Sequence, residues 1–508
     1  MMFSIDPANL MVAPLLIFMI SGMLCLLFYK RVDIQRAIVI SSSLIALIAA
    51  VKLLDLLTRD GFVTTQVGGW EVPFGITLFV DRFAGLMIAM TALLAVAASI
   101  FSFSDRVLSA RKKRIGFYPA LMFMLGGISG AFITGDLFNL YVWFEVMLIS
   151  SFVLITLGSK RDQLQGGIKY VVINFVASSF LLLAIAILYG TTGNTNLAAL
   201  AASLADPALQ PITRLAAILL LVSFGIKAAL FPFYFWLPAS YHTPPIAITA
   251  IVAGLLTKVG VYTMIRTFTL LFPLQQHYQL QKFLLGASCF TALVGVLGAI
   301  AHRDIRKVLA YSLISKIGFI LWGLSVYTSA AIAGAIFYTL HHMLVNTNLF
   351  FAAGIIGKAA GSYRISEISG LYDRLPLLSF VFIMLALTLV GIPPFSGFWG
   401  KFMLIDAGLL AHEYGSVAII LITTLLTLYS MMIIWSKCFL KKQDVKGQQL
   451  LPEGVFIKQC YHMYIASAFL LIVTFWISFN PSWLIEYTQR AAEQLLLPSN
   501  YVDAVIQR

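Results

Sequence analysis

Seven ionisable side chains in this sequence stand where such groups are costly. Glu145, Lys227, Lys258, Lys316, His341, His342 and Lys401 all fall inside apolar stretches long enough to cross a bilayer. A charge in hydrocarbon costs several kcal/mol, with estimates from about 2.5 kcal/mol upward, and persists where it faces water, a partner or a transport path. Burial favours the neutral form of a lysine, and a carboxylate nearby favours its charged form. A lysine that gains and loses a glutamate partner can therefore take up and release a proton. These residue types at this depth point to proton movement across a membrane.

Two of the lysines lie beside interrupted helices. The first stretch reads Ser223-Phe-Gly-Ile-Lys227-Ala-Ala-Leu-Phe-Pro232-Phe-Tyr-Phe-Trp236-Leu-Pro238, and the second reads Gly391-Ile-Pro393-Pro394-Phe-Ser-Gly397-Phe-Trp-Gly400-Lys401. Proline cannot donate to the helix ladder, so Pro232 frees backbone groups one turn beyond Lys227, and the second stretch is likewise interrupted with a lysine beside the break. Unwound backbone at membrane depth can hold water and ions. Two such helices in separate halves point to a transporter built from internal repeats. Plainer readings stand beside this one. Proline kinks are common in membrane helices, Lys401 could snorkel to the interface, and Lys316 could be an end-of-helix lysine.

His341 and His342 sit mid-span in Tyr338-Thr-Leu-His-His-Met-Leu-Val-Asn346. A histidine there can shuttle protons near neutral pH. Adjacent helical residues point about 100° apart, so one is expected to relay and the other to make a structural hydrogen bond. His302 and His242, in loops, are candidates for proton entrance or exit. Asp136 is an exit group or a cap, and Asp406 balances charge near Lys401.

These groups must be held by a bundle of helices. Of 508 residues, 60% are hydrophobic and 11% are charged, against about 25% charged in a soluble domain. A soluble enzyme is excluded, and an all-α polytopic membrane protein is expected. A ruler of about 20 apolar residues per helix gives fourteen spans, at roughly 8–29, 37–57, 79–104, 116–134, 136–157, 167–190, 211–236, 244–267, 282–301, 306–327, 330–357, 376–402, 414–436 and 462–480. With both termini outside, 22 of the 34 Lys and Arg fall on the inner side and 8 on the outer side, as the positive-inside rule requires. That asymmetry explains the net charge of +13 without nucleic acid. Glu145 comes about nine residues into its span, roughly 14 Å deep, and Lys258 about 14 residues into its own.

The four cysteines form no Cys-x-x-Cys, so neither a disulfide framework nor a zinc site is implied. No metal or cofactor is expected. The first apolar run has no basic residue before it, since Lys30 is the first Lys or Arg; it is expected to be a retained span.

Several stretches together resemble the antiporter-like membrane subunits shared by Mrp-type cation/proton antiporters and respiratory complex I. They are Phe138 to Ser151 around Glu145, Lys227 to Pro245 with Leu-Pro-Ala-Ser-Tyr-His-Thr-Pro-Pro, Leu255-Leu-Thr-Lys258-Val-Gly-Val-Tyr, Asp304 to Ser312, and Gly391 to Lys401. The resemblance covers roughly residues 70–440. Gly69 to Gly75, followed by Asp81, is similar to the Mrp branch. The resemblance implies about 14 transmembrane helices, broken helices 7 and 12, and two inverted five-helix repeats. The implied division is helices 1–3 in 1–115, one repeat in 116–267, the second in 268–440, and a cytoplasmic loop, helix 14 and tail in 441–508. Carried over by motif, Glu145 is the glutamate of helix five, Lys227 the lysine of broken helix seven, Lys258 the central lysine of helix eight, and Lys401 the lysine of broken helix twelve. The histidine pair falls in helix eleven. Two departures stand out. Asn346 occupies a place where relatives often carry Lys, and Lys316 one where they often carry Gln, so Lys316 is a candidate replacement.

The function so implied is a proton-translocating subunit of a multisubunit Na+/H+ antiporter, working with other membrane subunits in a bacterial cytoplasmic (inner) membrane. Glu145 would set the protonation of Lys227, Lys258 would link to the second half through His341 or His342 and Lys316, and Lys401 would end the axis. One alternative is a proton-pumping subunit of complex I or a membrane-bound hydrogenase. Another is a scaffold subunit that no longer transports, for which Asn346 argues and the Glu145, Lys227, Lys258 and Lys401 set argues against.

Overall fold

A computed structural model of the chain describes residues 6–104, 111–158, 160–442 and 453–506, apart from the side chains of 111–115, 207, 210, 211 and 453. Long apolar helices dominate. In chain order they begin with α1 (Pro7–Leu27) and α2 (Val32–Asp60), then a hairpin of β1 (Phe62–Gln66) and β2 (Thr77–Asp81), then α3 (Arg82–Ser102), α4 (Arg111–Ile133), α5 (Leu137–Thr156), α6 (Arg161–Thr192) and the short α7 (Leu197–Leu204). The middle of the chain forms α8 (Gln210–Ala228), α9 (Trp236–Tyr241), α10 (Ile246–Leu270), α11 (Tyr278–Ala301), α12 (Ile305–Val326) and α13 (Ser329–Ala360). The remainder forms α14 (Leu371–Arg374), α15 (Pro376–Val390), α16 (Ser396–Leu410), α17 (Tyr414–Ile434), α18 (Glu453–Phe479), α19 (Pro481–Leu495) and α20 (Pro498–Ile506).

Among the described residues, 13 helical stretches are long and apolar enough to cross a membrane, with α8 to α9 forming one of them. The interrupted pair α15 and α16 supplies the fourteenth crossing expected from the sequence. This is a multi-pass membrane protein. Contacts between loops support the alternation. Gln494 donates to the Gly61 carbonyl and the Gly135 amide to that of Thr77, joining segments that fourteen crossings place on one face. On the opposite face the Ile305 amide donates to Tyr363, the Ile365 amide to Arg303, and Lys358 to Ser104.

Burial sorts the helices. α2, α6, α17 and α18 carry exposed stripes such as Ile48 and Val51, Val172 and Phe175, Leu421 and Leu425, and Ile472 and Trp476. These suit a lipid surface, where apolar exposure is no penalty. α10, α12 and α13 are enclosed almost all round. α13 touches α3, α10, α12, α15, α16, α18 and α19, which makes it the hub of the bundle. These three enclosed helices carry Lys258, Lys316 and the histidine pair.

Three expectations need correction. The third crossing starts at Arg82 rather than 79, because residues 77–81 form a strand whose last residue, Asp81, caps α3 by accepting from the Ala84 amide at 2.9 Å. Hydropathy alone counts Leu78-Phe79-Val80 as helix. The pairing that makes them a strand, Phe62 opposite Asp81 through Gln66 opposite Thr77, is not local. Arg266, which the expected span 244–267 puts at its very end, is not an exposed end residue: it is 8% exposed and held by Asp81. The seventh crossing is interrupted as expected, stopping at Ala228 and resuming over Trp236–Tyr241, but it ends at Tyr241 rather than 236.

Candidate functional site

The two breaks close in the same way. At the end of α8 the Ala229 amide donates to the Ile226 carbonyl and the Leu230 amide to Gly225. At the end of α15 the Gly391 amide donates to Thr388 and the Ile392 amide to Leu387. Each pair is a Schellman closure with one residue in the left-handed region, Ala229 at φ 62° and Gly391 at φ 84°. Phe231–Pro232 and Pro393–Pro394 are cis. Beyond the first break, the Phe231 amide is caught by Thr291 Oγ1 of α11 at 2.8 Å, and Trp236 Nε1 donates to the Ile226 carbonyl at 3.0 Å. Beyond the second, the Ser396 amide donates to Ser478 Oγ of α18.

Lys227 precedes the first break. It is 5% exposed, its Nζ donates to Ser178 Oγ of α6 at 3.2 Å, and the ammonium lies 4.4 Å from the centroid of the Phe144 ring. Glu145, one residue on, acts on Lys227 through space but makes no ion pair with it within 4 Å. Glu145 is half-buried, and its Oε1 is enclosed without a hydrogen-bond partner in the protein. The expected pair is therefore a near-neighbour arrangement with an aromatic ring and a serine closer to the amine. Close approach of α8 to α10 depends on Gly260: a Cβ there would come within 2.7 Å of the Ala228 nitrogen.

Lys258 is fully enclosed in α10, and its Nζ donates to the Ala253 carbonyl at 2.8 Å. His342 comes next: both ring nitrogens are buried without a protein partner, and Lys258, His341 and Lys316 all act on it through space. His341 points elsewhere, with Nδ1 2.9 Å from Ser396 Oγ. The two histidines diverge as the helical period requires. His341 is tied to the second break, and His342 is the uncommitted one. Asn346, one turn beyond, is buried with Nδ2 unpartnered.

Lys316 and Lys401 meet in the second half. Lys316 is the twelfth residue of α12 and fully buried, donating to Thr427 Oγ1 at 2.7 Å; the end-of-helix reading fails. Lys401 is 4% exposed and donates to the Val390 carbonyl at 2.6 Å, capping the end of α15; the snorkelling reading fails as well. Their ammonium groups lie 4.8 and 5.3 Å from the centroid of one ring, Phe319. Among the described residues no carboxylate acts on either amine or on His341. Sequence reasoning missed Phe144, Ser178, Phe319 and Thr427. Only Phe319, one turn from Lys316, left a local signal.

Further buried polar atoms without a protein partner include Tyr241 Oη, Thr257 Oγ1, Ser315 Oγ and Tyr338 Oη. A buried polar atom needs a partner, and ordered water is the ordinary one where protein supplies none. Asp136 proves to be a cap, accepting from the Asn139 amide at 2.7 Å and from Thr195 Oγ1 at 2.6 Å. His242 and His302 line one cleft of about 340 Å³ below the first break, with Asp162, Lys169, Lys307 and Tyr311. Burial holds the His242 imidazole below its ordinary range, and Lys307 and Arg306 add to this. His242 is then neutral at pH 7. If its Nδ1 hydrogen is the one facing the Pro238 carbonyl 2.7 Å away, Nε2 is left to accept a proton.

Comparison with known proteins places this geometry. Residues 134–427 match the family model described as NADH:quinone oxidoreductase/Mrp antiporter, transmembrane. The chain is 36% identical over 501 residues to the D subunit of the Na(+)/H(+) antiporter of Bacillus subtilis, covering 98% of this chain and 99% of that protein. It is 38% identical over 503 residues to the D subunit of the Na(+)/H(+) antiporter of Alkalihalophilus pseudofirmus, again covering 98% and 99%. A chain in the structure of the Mrp complex from Dietzia sp. superposes with a TM-score of 0.88 at 29% identity, covering 98% of this chain and 99% of that one. With a family model spanning more than half of its length and full-length relatives above 30% identity, the chain belongs to the NADH:quinone oxidoreductase/Mrp antiporter transmembrane family.

Proposed function

We propose that this chain is the proton-carrying subunit of a multisubunit Na+/H+ antiporter in a bacterial inner membrane, a transporter rather than an enzyme, assembled with other membrane subunits. Its full-length similarity to the D subunits of two Na(+)/H(+) antiporters supports the assignment. The observation that supports the mechanism is the burial of ionisable groups on α8, α10, α13, α12 and α16, with Lys258 and Lys316 close enough to His342, and Lys401 to Lys316, to act through space.

In this reading Glu145 biases the charge on Lys227, Lys258 receives a proton from the first half, and His342 passes it toward Lys316 and Lys401. The cleft holding His242 and His302 is the proton entrance on its face. Coupling is electrostatic: at about 4 Å and an effective dielectric near 20, two unit charges interact by about 4 kcal/mol. A charge arriving at one site therefore changes protonation at the next. Water or an imidazole must bridge the longer steps.

The test is Lys227→Ala in the reconstituted complex. Loss of cation-dependent proton flux, with the complex still assembled, is the expected result. Flux at the wild-type rate would end the relay assignment.

A further inference from the structure

A second polar constellation lies on α10, toward the face that carries the hairpin. Lys258, Tyr262 and Arg266 are spaced i, i+4, i+8 and so share one side of the helix. Each step rises about 6 Å, which puts Arg266 about 12 Å beyond Lys258. All three are buried. Tyr262 Oη donates to the Phe132 carbonyl at 3.0 Å and accepts from Arg266 at 3.2 Å. Arg266 in turn makes a two-pronged pair with Asp81, at 2.7 and 2.8 Å. Asp81 Oδ1 also accepts from the Ala84 amide. Burial alone would push the Asp81 carboxyl up, but the Arg266 guanidinium overrides this and holds it low.

Beyond the pair lies a cavity of about 20 Å³, lined by Asp81, Arg266, Gln494, Asn500 and Tyr501 among others. That is room for about one water. Tyr501 of α20 covers the guanidinium, with its ring centroid 5.8 Å from the central carbon.

A buried ion pair is weak evidence for stability, because well-packed apolar residues of the same volume often do as well. A pair about two helical turns from a buried lysine on the same side of α10, next to a water-sized space, suits another task. We propose that Asp81, Arg266 and Tyr262 form the gate through which protons pass between Lys258 and the hairpin face. This rests on the relay reading above. Closed, the fixed guanidinium charge repels a proton approaching from Lys258, and Asp81 is occupied by Arg266. To open, the Lys258 ammonium must leave the Ala253 carbonyl for Tyr262 Oη, and the Tyr262 hydroxyl must turn from the Phe132 carbonyl to Asp81. Oη then takes a proton from the ammonium as it gives its own to Asp81, so the tyrosine ends unchanged. Neutral Asp81 loosens its hold on Arg266 and then passes the proton to water in the cavity, which restores the pair.

Tyr262→Phe separates this role from a structural one. Phe keeps the ring packed between Phe83 and Phe132, each at 4.8 Å, and removes only the hydroxyl. In the full complex reconstituted in liposomes, Tyr262→Phe is expected to slow Na+-dependent proton flux by about tenfold, the worth of one hydrogen bond in a transfer barrier, with assembly and thermal stability kept. Asp81→Asn is expected to raise the proton leak under an imposed ΔpH without Na+. Wild-type flux from Tyr262→Phe would overturn the gate, and that variant alone decides if Asp81→Asn fails to assemble. Lys227→Ala in the same vesicles separates the two readings. If it loses flux while Tyr262→Phe keeps it, only the gate falls; if Lys227→Ala keeps flux, the relay beneath it falls too.

Discussion

The regions around the two helix breaks share a backbone and differ in how they keep a cation. Both α8 and α15 end in a Schellman closure. In the first region a lysine has a glutamate nearby, a serine oxygen and the face of Phe144, while a tryptophan caps the helix end. In the second, the lysine itself caps the helix end, and a second lysine shares its aromatic ring. Buried charge normally requires an opposite charge. The second region shows what can stand in for one: carbonyl and hydroxyl oxygens as acceptors, and an aromatic ring near both amines. An aromatic face contributes about 0.5–2 kcal/mol to a cation, more when desolvated. The first region thus sets a buried lysine near an unlike charge, and the second sets two buried lysines near one ring.

The comparison breaks most visibly at Lys227. Lys227→Ala should lower flux by about 100-fold, as expected for removal of a proton-transfer group, read as dye-reported ΔpH collapse in liposomes. Lys316→Gln comes next: if like-charge coupling operates, flux should fall by about tenfold, and an unaffected rate would remove Lys316 from the relay. Phe319→Leu sharpens the point. It withdraws about 1–2 kcal/mol of cation–π stabilisation and should slow flux several-fold, with Phe319→Trp restoring it. The backbone gives the smallest effects. Gly391→Ala forces a Cβ into the left-handed region and should destabilise the fold by about 1–2 kcal/mol. Ala229→Gly relieves that same strain while adding unfolded-state freedom, so its stability should stay within about 1 kcal/mol of wild type. Thermal unfolding of the purified complex measures both.

Much of this architecture was legible along the chain. Apolar length located the crossings, and proline placed both breaks within a few residues, since a missing amide acts locally. The hairpin was not legible: Leu78-Phe79-Val80 reads as helix until Phe62–Gln66 pairs with it. Nor was the buried state of Arg266, whose partner Asp81 lies 185 residues away. Adjacent helical residues diverge, so the histidine pair could be split in principle. Which of them bonds Ser396 was open until α16 was in place.

What the sequence settled alone was that these charges fall within apolar stretches long enough to cross a bilayer. Apolar length is counted along one segment and needs no neighbour. The folded structure decided which groups share a side. That depends on how α8, α10, α12, α13 and α16 rotate and pack against one another, at contacts such as Gly260 against Ala228. A ring near two lysines, or a lysine bonded to a serine of another helix, is a property of that packing and of no single helix.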